Sequence, residues 1–459
     1  MLRLHDTATG RVQELELRQP GHLGLYLCGP TVYDAPHIGH GRFALVWDVL
    51  RRYLTWTGID VRLVSNVTDI DDKIIQRANR EGRSAAEVAK EYEAVWFDTM
   101  DRLGVGRPSD DPHATDYVER MVHLIGELVE RGRAYPGTDG VYFAVETVED
   151  YGLLAHQRID SLKVGARVEV DEEQGKRSPI DFALWKLAKP GEPSWPSPWG
   201  AGRPGWHTEC VVMALDLLGE DFDLHGGGID LAFPHHENER AQAVGSGRRF
   251  ARRWAHSGHV VADGGEKMSK SLGNAVPLPE LIERYDPRSY RLLVLQSHYR
   301  SPMTVSEVTM SAAEQGVQRL DALARRFPDV AGKIEPDPDA LTRFSDRMDD
   351  DLDTVRATAD LFDLVKRANT LIDDDRRDDA EPLVAAVFDI ASAVGLTLGG
   401  PAVELGDEAR RLARARDEAR SDGDYARADA IRQQLQADGW IVEDTPEGTV
   451  VRRKPGSDS

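Results

Sequence analysis

Apolar and polar positions follow two regimes along this chain of 459 residues, with short apolar runs and amphipathic stretches alternating at first and helical spacing alone taking over after about residue 305. Residues 23–29, LGLYLCG, form a continuous apolar run of strand length. From Ile38 onward, Val46, Val49, Leu50 and Tyr53 recur at helical spacing, and Gly58 supplies the stop. A second apolar run, VRLVSNV, follows at once. Strand, helix and strand in close succession build a parallel sheet with right-handed crossovers. The loop leaving the first strand then reaches a helix N-terminus, where backbone N–H groups and the helix dipole favour an anion.

Between about residues 105 and 205 the pattern turns irregular, with VGRPSDDPHATD and KPGEPSWPSPWGAGRPGW rich in Pro, Gly and Ser, which reads as an insertion between two sheet halves. From Asp221 the first regime resumes. DFDLHGGG is a strand running into a glycine loop, FPHHENERAQAV opens a helix with Pro234 near its first turn, and RWAHSGHVV leads into a polar loop containing KMSKS. After Ser306, Val317, Leu320, Leu323 and Phe327 share one helical face, Val355, Phe362 and Val365 another, and PLVAAVFDIASAVGL adds an apolar helix, giving a bundle. EARRLARARDEAR then pairs with YARADAIRQQLQ across the turn SDGD, and GWIVEDTPEGTVVRR reads as a hairpin. The expected fold is α/β: a parallel-sheet domain in two halves, 1–105 and 206–305, around an insertion at 106–205, followed by a helical bundle at 306–400 and a small C-terminal domain at 401–459.

Composition narrows the class. With 41% hydrophobic and 30% charged residues the chain is an ordinary globular protein, and neither a signal-peptide run nor a stretch approaching about 20 apolar residues is present, so a cytoplasmic protein without a membrane anchor is expected. A formal net charge of -22 argues against broad, nonspecific binding of nucleic acid, which needs clustered Lys and Arg. Net charge does not set the field of a single groove, so a local basic face is still allowed. It leaves two sources for the acidity, a salty cytoplasm or an Asp-rich surface. Only two cysteines occur, Cys28 and Cys210, and in a reducing compartment such residues are more often ligands or free thiols, with a bridge between them left open.

Three groups of residues could carry chemistry. His37, Gly39 and His40 fall at the strand-to-helix turn, where imidazoles can donate to phosphate oxygens and Gly39 lets a nucleotide approach the backbone. Lys267 and Lys270 lie in KMSKS, which reads either as a solvated loop or as a source of ammonium groups for a triphosphate. His235 and Glu239 are spaced i, i+4 on one helix face and could share an ion with Cys28 and Cys210; His236 is the rival ligand, and spacing does not decide between the two histidines. The ordinary alternative for that group is two buried thiols and a surface His/Glu pair.

Taken together, CGPTVYDAPHIGHGR, NVTDIDDKI, GEPSWPSPWGAGRPGWHTEC, HGGGIDLAFPHHENE and KMSKSLGN closely resemble cysteinyl-tRNA synthetase, a class I aminoacyl-tRNA synthetase. The resemblance implies a Rossmann-like catalytic domain with an insertion, a helical bundle and a C-terminal domain that reads the anticodon. It implies one Zn2+ on Cys28, Cys210, His235 and Glu239, choosing His235 over His236. It implies ATP as a substrate with Mg2+, its phosphates near His37, His40, Lys267 and Lys270, and its adenosine near Gly226, Gly227, Gly228 and Asp230. Thr68 and Trp206 would line the pocket for L-cysteine, although Thr68 also reads as a helix cap and Trp206 as core. Arg427, Arg432 and Trp440 are candidates for contacts with the anticodon of tRNA(Cys), against a solvated face and a small core. A monomer is expected. Two other readings stay open: an ATP-dependent cysteine ligase of thiol-cofactor biosynthesis that acts on an amino sugar, and a noncatalytic RNA-binding paralogue.

Overall fold

The run His22–Leu27 is buried along most of its length, which is why it reads as continuously apolar. In the computed structural model, which describes residues 1–158, 175–261, 276–399, 407–445 and 448–453, this run is the third strand in chain order. The strands are β1 (Arg3–Asp6), β2 (Arg11–Glu14), β3 (His22–Leu27), β4 (Asp60–Ser65), β5 (Ala134–Pro136), β6 (Gly140–Phe143), β7 (Phe182–Leu187), β8 (Gly202–Pro204), β9 (Leu224–Gly228), β10 (Arg253–Ser257), β11 (Val260–Val261), β12 (Met303–Thr304), β13 (Trp440–Thr445) and β14 (Gly448–Arg453).

The central sheet has the order β10-β9-β3-β4 with every neighbour parallel, in register from His22 opposite Asp60 on one side and Leu25 opposite Leu224 on the other. Helix α1 (Ile38–Trp56) makes the β3-to-β4 crossover. It buries Val46, Val49, Leu50 and Tyr53, as the periodicity predicts, and ends at Thr57 before Gly58, whose φ of 89° suits glycine. The chain thus leaves β3 toward β4 on one side and returns to β9 on the other. This places a topological switch point between β3 and β9, where open parallel sheets bind ligands at their carboxyl ends.

The insertion carries the helix Val118–Glu130 and the antiparallel sheet β5-β6-β7-β8. Its strands are only three to six residues long, too short to show a period amid Pro and Gly. The helices Glu307–Arg326, Pro338–Asp349, Thr354–Asp373 and Arg377–Ala393 follow, and they bury Val317, Leu320, Leu323, Phe327 and Val365 as expected. Val355 departs from expectation. It lies in the first turn of its helix, 38% exposed, while Ala357, Leu361, Leu364 and Val365 form the packed face. At the C-terminus the helices Asp407–Ser421 and Tyr425–Ala437 and the antiparallel β13–β14 hairpin share a small core of Ala409, Ala413, Leu435, Val442 and Val451.

Two local features also differ from the sequence pattern. Gly226, Gly227 and Gly228 belong to β9 itself and not to a loop beyond it. FPHH forms a separate turn, Ala232–His236, before the regular helix Glu237–Gly245.

Candidate active site

Cys28 directly follows β3, and His225 lies on β9, so both stand at the switch point. Cys210 comes from the helix Trp206–Leu217, His235 and His236 from the turn after β9, and Glu239 from the next helix. All six are buried. The Cys28 thiol donates to Glu239 Oε1 at 3.2 Å and lies 3.4 Å from His236 Nε2, while Cys210 Sγ lies 3.6 Å from His235 Nε2, which is itself 3.0 Å from Glu239 Oε1. Both cysteines are free thiols, which closes the disulfide alternative.

Ligand atoms of Cys28, Cys210, His235 and Glu239 lie within 4.8 Å of one another. So do those of Cys28, His225, His236 and Glu239, so the two quartets share a thiol and a carboxylate and both histidines of the HH pair reach the cluster. A ring of further histidines, which sequence reasoning missed, backs these groups. His225 Nε2 is 2.8 Å from Glu239 Oε2, His256 Nε2 is 2.8 Å from His236 Nδ1, and His207 Nδ1 is 2.7 Å from His235 Nδ1. The available signal was a polar His interrupting each of two buried strands, DLHGGG and RWAHSG.

Burial dominates the electrostatics. It pushes the Cys28 thiol far up and Cys210 up to about 11, holds His235 and His236 well below the ordinary imidazole range, and takes His207 and His256 down to about 3. Two soft sulfurs, neutral imidazoles and a carboxylate, converging without a cationic side chain among them, make a donor set that fits zinc, whose charge would favour the thiolates that burial alone opposes.

Above this cluster the Trp206 ring stacks on His235 with centroids 3.8 Å apart. Trp206 is half-buried and so is not simply core. Thr68, fully buried, accepts from Asn66 Nδ2 at 3.2 Å and donates to Glu209 Oε2 at 2.7 Å. It does not cap a helix; Asp71 caps Asp72–Glu81 by accepting from the Lys73 N–H. Burial raises the Glu209 carboxyl well above its ordinary range, outweighing the Thr68 hydrogen bond.

His37 is the N-cap of α1. Its Nδ1 accepts from the His40 N–H at 3.4 Å, His40 Nδ1 accepts from the His37 N–H at 3.2 Å, and the rings stack 3.8 Å apart. A neutral imidazole that accepts through Nδ1 carries its proton on Nε2, so both rings present N–H donors. Gly39 makes room for this arrangement, since a Cβ there would sit 2.9 Å from the His37 ring. Gly226 and Gly227 likewise admit Trp47 and His236, each within 3 Å of where a Cβ would lie, whereas among the described residues a Cβ at Gly228 would meet only the Asp230 side chain. Asp230 is exposed beside it. Lys267 and Lys270 lie outside the described residues. From Val276 the described chain is fixed to the start of α1, with the Ile38 N–H donating to Val276 O at 3.1 Å and the Leu278 N–H to Pro36 O at 2.8 Å.

In the C-terminal unit Arg427 and Arg432 are exposed, while Trp440 is half-buried against the small core. Tyr425, at the start of the same helix and 68% exposed, is the aromatic that the sequence reading passed over.

Residues 14–315 match the family described as the class I (C) tRNA synthetase catalytic domain, residues 343–399 the DALR domain, and residues 402–452 the cysteinyl-tRNA ligase anticodon binding domain. The cysteine–tRNA ligase of Alkalilimnicola ehrlichii is 44% identical, and that of Halorhodospira halophila 43%, each alignment covering 99% of this chain and 100% of the relative. Among solved structures, a methionyl-tRNA synthetase from Mycobacterium tuberculosis superposes with a TM-score of 0.60 at 16% identity, covering 81% of this chain and 89% of that one. A LeuRS from Agrobacterium radiobacter K84 gives 0.63 at 11% identity, covering 83% and 85%; both likenesses speak to fold alone. The chain belongs to the cysteinyl-tRNA ligase family of class I aminoacyl-tRNA synthetases.

Proposed function

We propose that this chain activates L-cysteine with ATP and transfers it to the 3′ end of tRNA(Cys), acting as a cytoplasmic monomer. The observation that carries the reading is the buried quartet Cys28, Cys210, His235 and Glu239 at the sheet's switch point, beside a pair of imidazole N–H donors at a helix N-terminus. Among the described residues no helix is long and apolar enough to cross a membrane.

The quartet would hold one Zn2+. Bound there, zinc supplies a soft Lewis acid that takes a substrate sulfur in preference to a hydroxyl oxygen. The problem is real, because shape and apolar contact alone reject a near-isostere by only about a hundredfold. Trp206, stacked on His235, would wall the pocket, and Thr68 would face it with its hydroxyl already committed to Glu209.

The cysteine carboxylate would attack the α-phosphate of ATP in line, forming cysteinyl-adenylate and releasing pyrophosphate. The terminal ribose hydroxyl of the tRNA would then take the acyl group and release AMP. The His37 and His40 N–H donors, with the ammonium groups of Lys267 and Lys270, would stabilise charge on the phosphates; Mg2+ would accompany the ATP. Gly228 and Asp230, at and just beyond the end of β9, would meet the adenosine, and Gly226 and Gly227 would lie beneath it. Arg427, Arg432 and Trp440 would serve the anticodon end.

The test is transfer of labelled cysteine to total tRNA with ATP. Charging of the cysteine acceptor alone supports this function. Cysteine-dependent pyrophosphate exchange without charging would favour an amino-sugar cysteine ligase, and absence of both would favour a noncatalytic RNA-binding protein.

A further inference from the structure

Arg42, in the first turns of α1, is 1% exposed and has no carboxylate partner among the described residues. Its guanidinium is held by carbonyl oxygens instead. Nη1 donates to His259 O at 2.6 Å, and Nη2 donates to His298 O and Tyr299 O, both at 3.2 Å, and to Ser301 O. Nε, also buried, has no partner among the described residues. An unpaired buried cation is an expensive feature to maintain unless its geometry is needed.

The acceptors show what that geometry joins. His259 immediately precedes β11, whose Val261 is the last described residue before 262–275, and β11 pairs in parallel with β12 just beyond Ser301. The backbone is tight at the same junction: the Gly258 N–H donates to Tyr299 O at 2.7 Å, and a Cβ at Gly258 would fall 2.5 Å from Ser301 O. On the far side of 262–275, Val276 and Leu278 pair with Ile38 and Pro36, and the Tyr290 hydroxyl donates to Ile38 O at 2.6 Å. Both flanks of that segment are therefore tied to the first turns of α1, one of them through a single side chain.

We propose that Arg42 is a positioning residue for the nucleotide end of the reaction, fixing the strand that leads to Lys267 and Lys270 against the helix that carries His37 and His40. This rests on the function proposed above. A fork of planar donors can grip several carbonyls at once, which a lysine ammonium in the same place cannot reproduce with the same geometry.

The experiment compares wild type, Arg42→Lys, Arg42→Gln and Gly258→Ala, each alone and with Lys270→Ala, in equilibrium binding of ATP and in cysteine-dependent ATP–pyrophosphate exchange. Misplacement of reacting groups should lower exchange by about tenfold or more in Arg42→Gln, through kcat and the KM for ATP, with the KM for cysteine and zinc content unchanged. Arg42→Lys should recover only part of that loss. Because the clamp acts through the lysines, its removal should cost much less once Lys270 is already alanine. Purely additive losses, or a cysteine KM that moves as far as the ATP KM, would overturn the proposal. Should Arg42→Gln fail to fold, Gly258→Ala disturbs the same junction from its other side, and unchanged ATP kinetics there would overturn it equally. A wild type inert in exchange, but whose ATP affinity falls with Arg42→Gln, would remove the functional reading and leave the positioning role standing.

Discussion

Cys28 and Cys210, delivered by the end of β3 and by the helix that leaves the insertion, bring their sulfur atoms within 4.8 Å of one another yet remain separate thiols. Both are buried where their own ionisation is opposed, so the pair is suited to a metal more than to solvent chemistry. Cys210→Ser should lower zinc affinity by at least about a hundredfold, since even supporting groups around a zinc ion are worth up to that much. Selectivity for cysteine over serine in pyrophosphate exchange should fall with it. Full zinc content, measured by atomic absorption after dialysis, with unchanged discrimination would remove Cys210 from the ligand set.

The two overlapping quartets make a sharper test. His235 faces Cys210 and Glu239, whereas His236 faces Cys28 and leans on His256. His235→Ala should release the metal; His236→Ala should keep it, with a shifted spectrum for bound Co2+ because a neighbouring imidazole has gone. The reverse outcome would move the site to the quartet of Cys28, His225, His236 and Glu239.

Much of this centre was legible in the chain, and the reason is local. The i, i+4 spacing of His235 and Glu239 marks them as possible partners on one ion, with the choice over His236 coming only from the resemblance, and α1 shows itself by its periodic apolar face ending at Gly58. The backing histidines did not, because His207, His225 and His256 come from a helix and two different strands and meet only through the sheet order. The contacts at Gly226 and Gly227 were hidden for the same reason, because Trp47 and His236 reach them from other elements. Gly39 reads in the sequence as an approach for a nucleotide, and the resemblance sets Gly226 and Gly227 near the adenosine; in the fold, a Cβ at these three positions would meet the side chain of His37, Trp47 or His236 respectively. Val355 was misplaced because a period of 3.6 fits a first-turn residue as well as a packed one, and only the neighbouring helices decide which turn they cover.

Lys270→Ala should lower kcat for pyrophosphate exchange by about a hundredfold to a thousandfold, the range for removing one preorganised electrostatic contact. Zinc content and the thermal midpoint should stay unchanged, because the ammonium would act only on the phosphates. Wild-type exchange in Lys270→Ala would show that KMSKS is a solvated loop.

Asp48 and Arg291 form a buried pair at 2.6 Å, 4% and 1% exposed, joining α1 to the helix Pro287–Leu295. Burial alone would raise the Asp48 carboxyl, but Arg291, Arg52 and the Gly106 N–H outweigh it and hold the group below its ordinary range. The folded value is therefore the lower one. Stability from this pair is complete above about pH 4, the unfolded carboxylate's range, and is lost as pH falls through the depressed folded value. Asp48→Asn should cost about 3–5 kcal/mol near neutrality by stranding a buried guanidinium. Its urea midpoint should also fall less steeply between about pH 4 and pH 2 than that of wild type, and parallel acid limbs would show that Asp48 is not the titrating group.

The C-terminal unit separates two kinds of residue that the sequence grouped together. Arg427 and Arg432 stand in solvent, whereas Trp440 rests on the core formed by Ala409, Ala413, Leu435, Val442 and Val451. An exposed guanidinium that meets RNA phosphate contributes through counterion release, so Arg427→Ala and Arg432→Ala should each weaken tRNA binding and flatten the salt dependence of log K by about one phosphate contact. Neither should touch pyrophosphate exchange. Trp440→Ala should act differently, by loosening the packing of the two helices against the β13–β14 hairpin. Its tRNA affinity should fall together with the thermal midpoint of the C-terminal unit, and Trp440→Phe, which keeps a ring on that core, should restore both. A Trp440→Phe variant that recovers stability but not affinity would instead place the indole itself on the RNA.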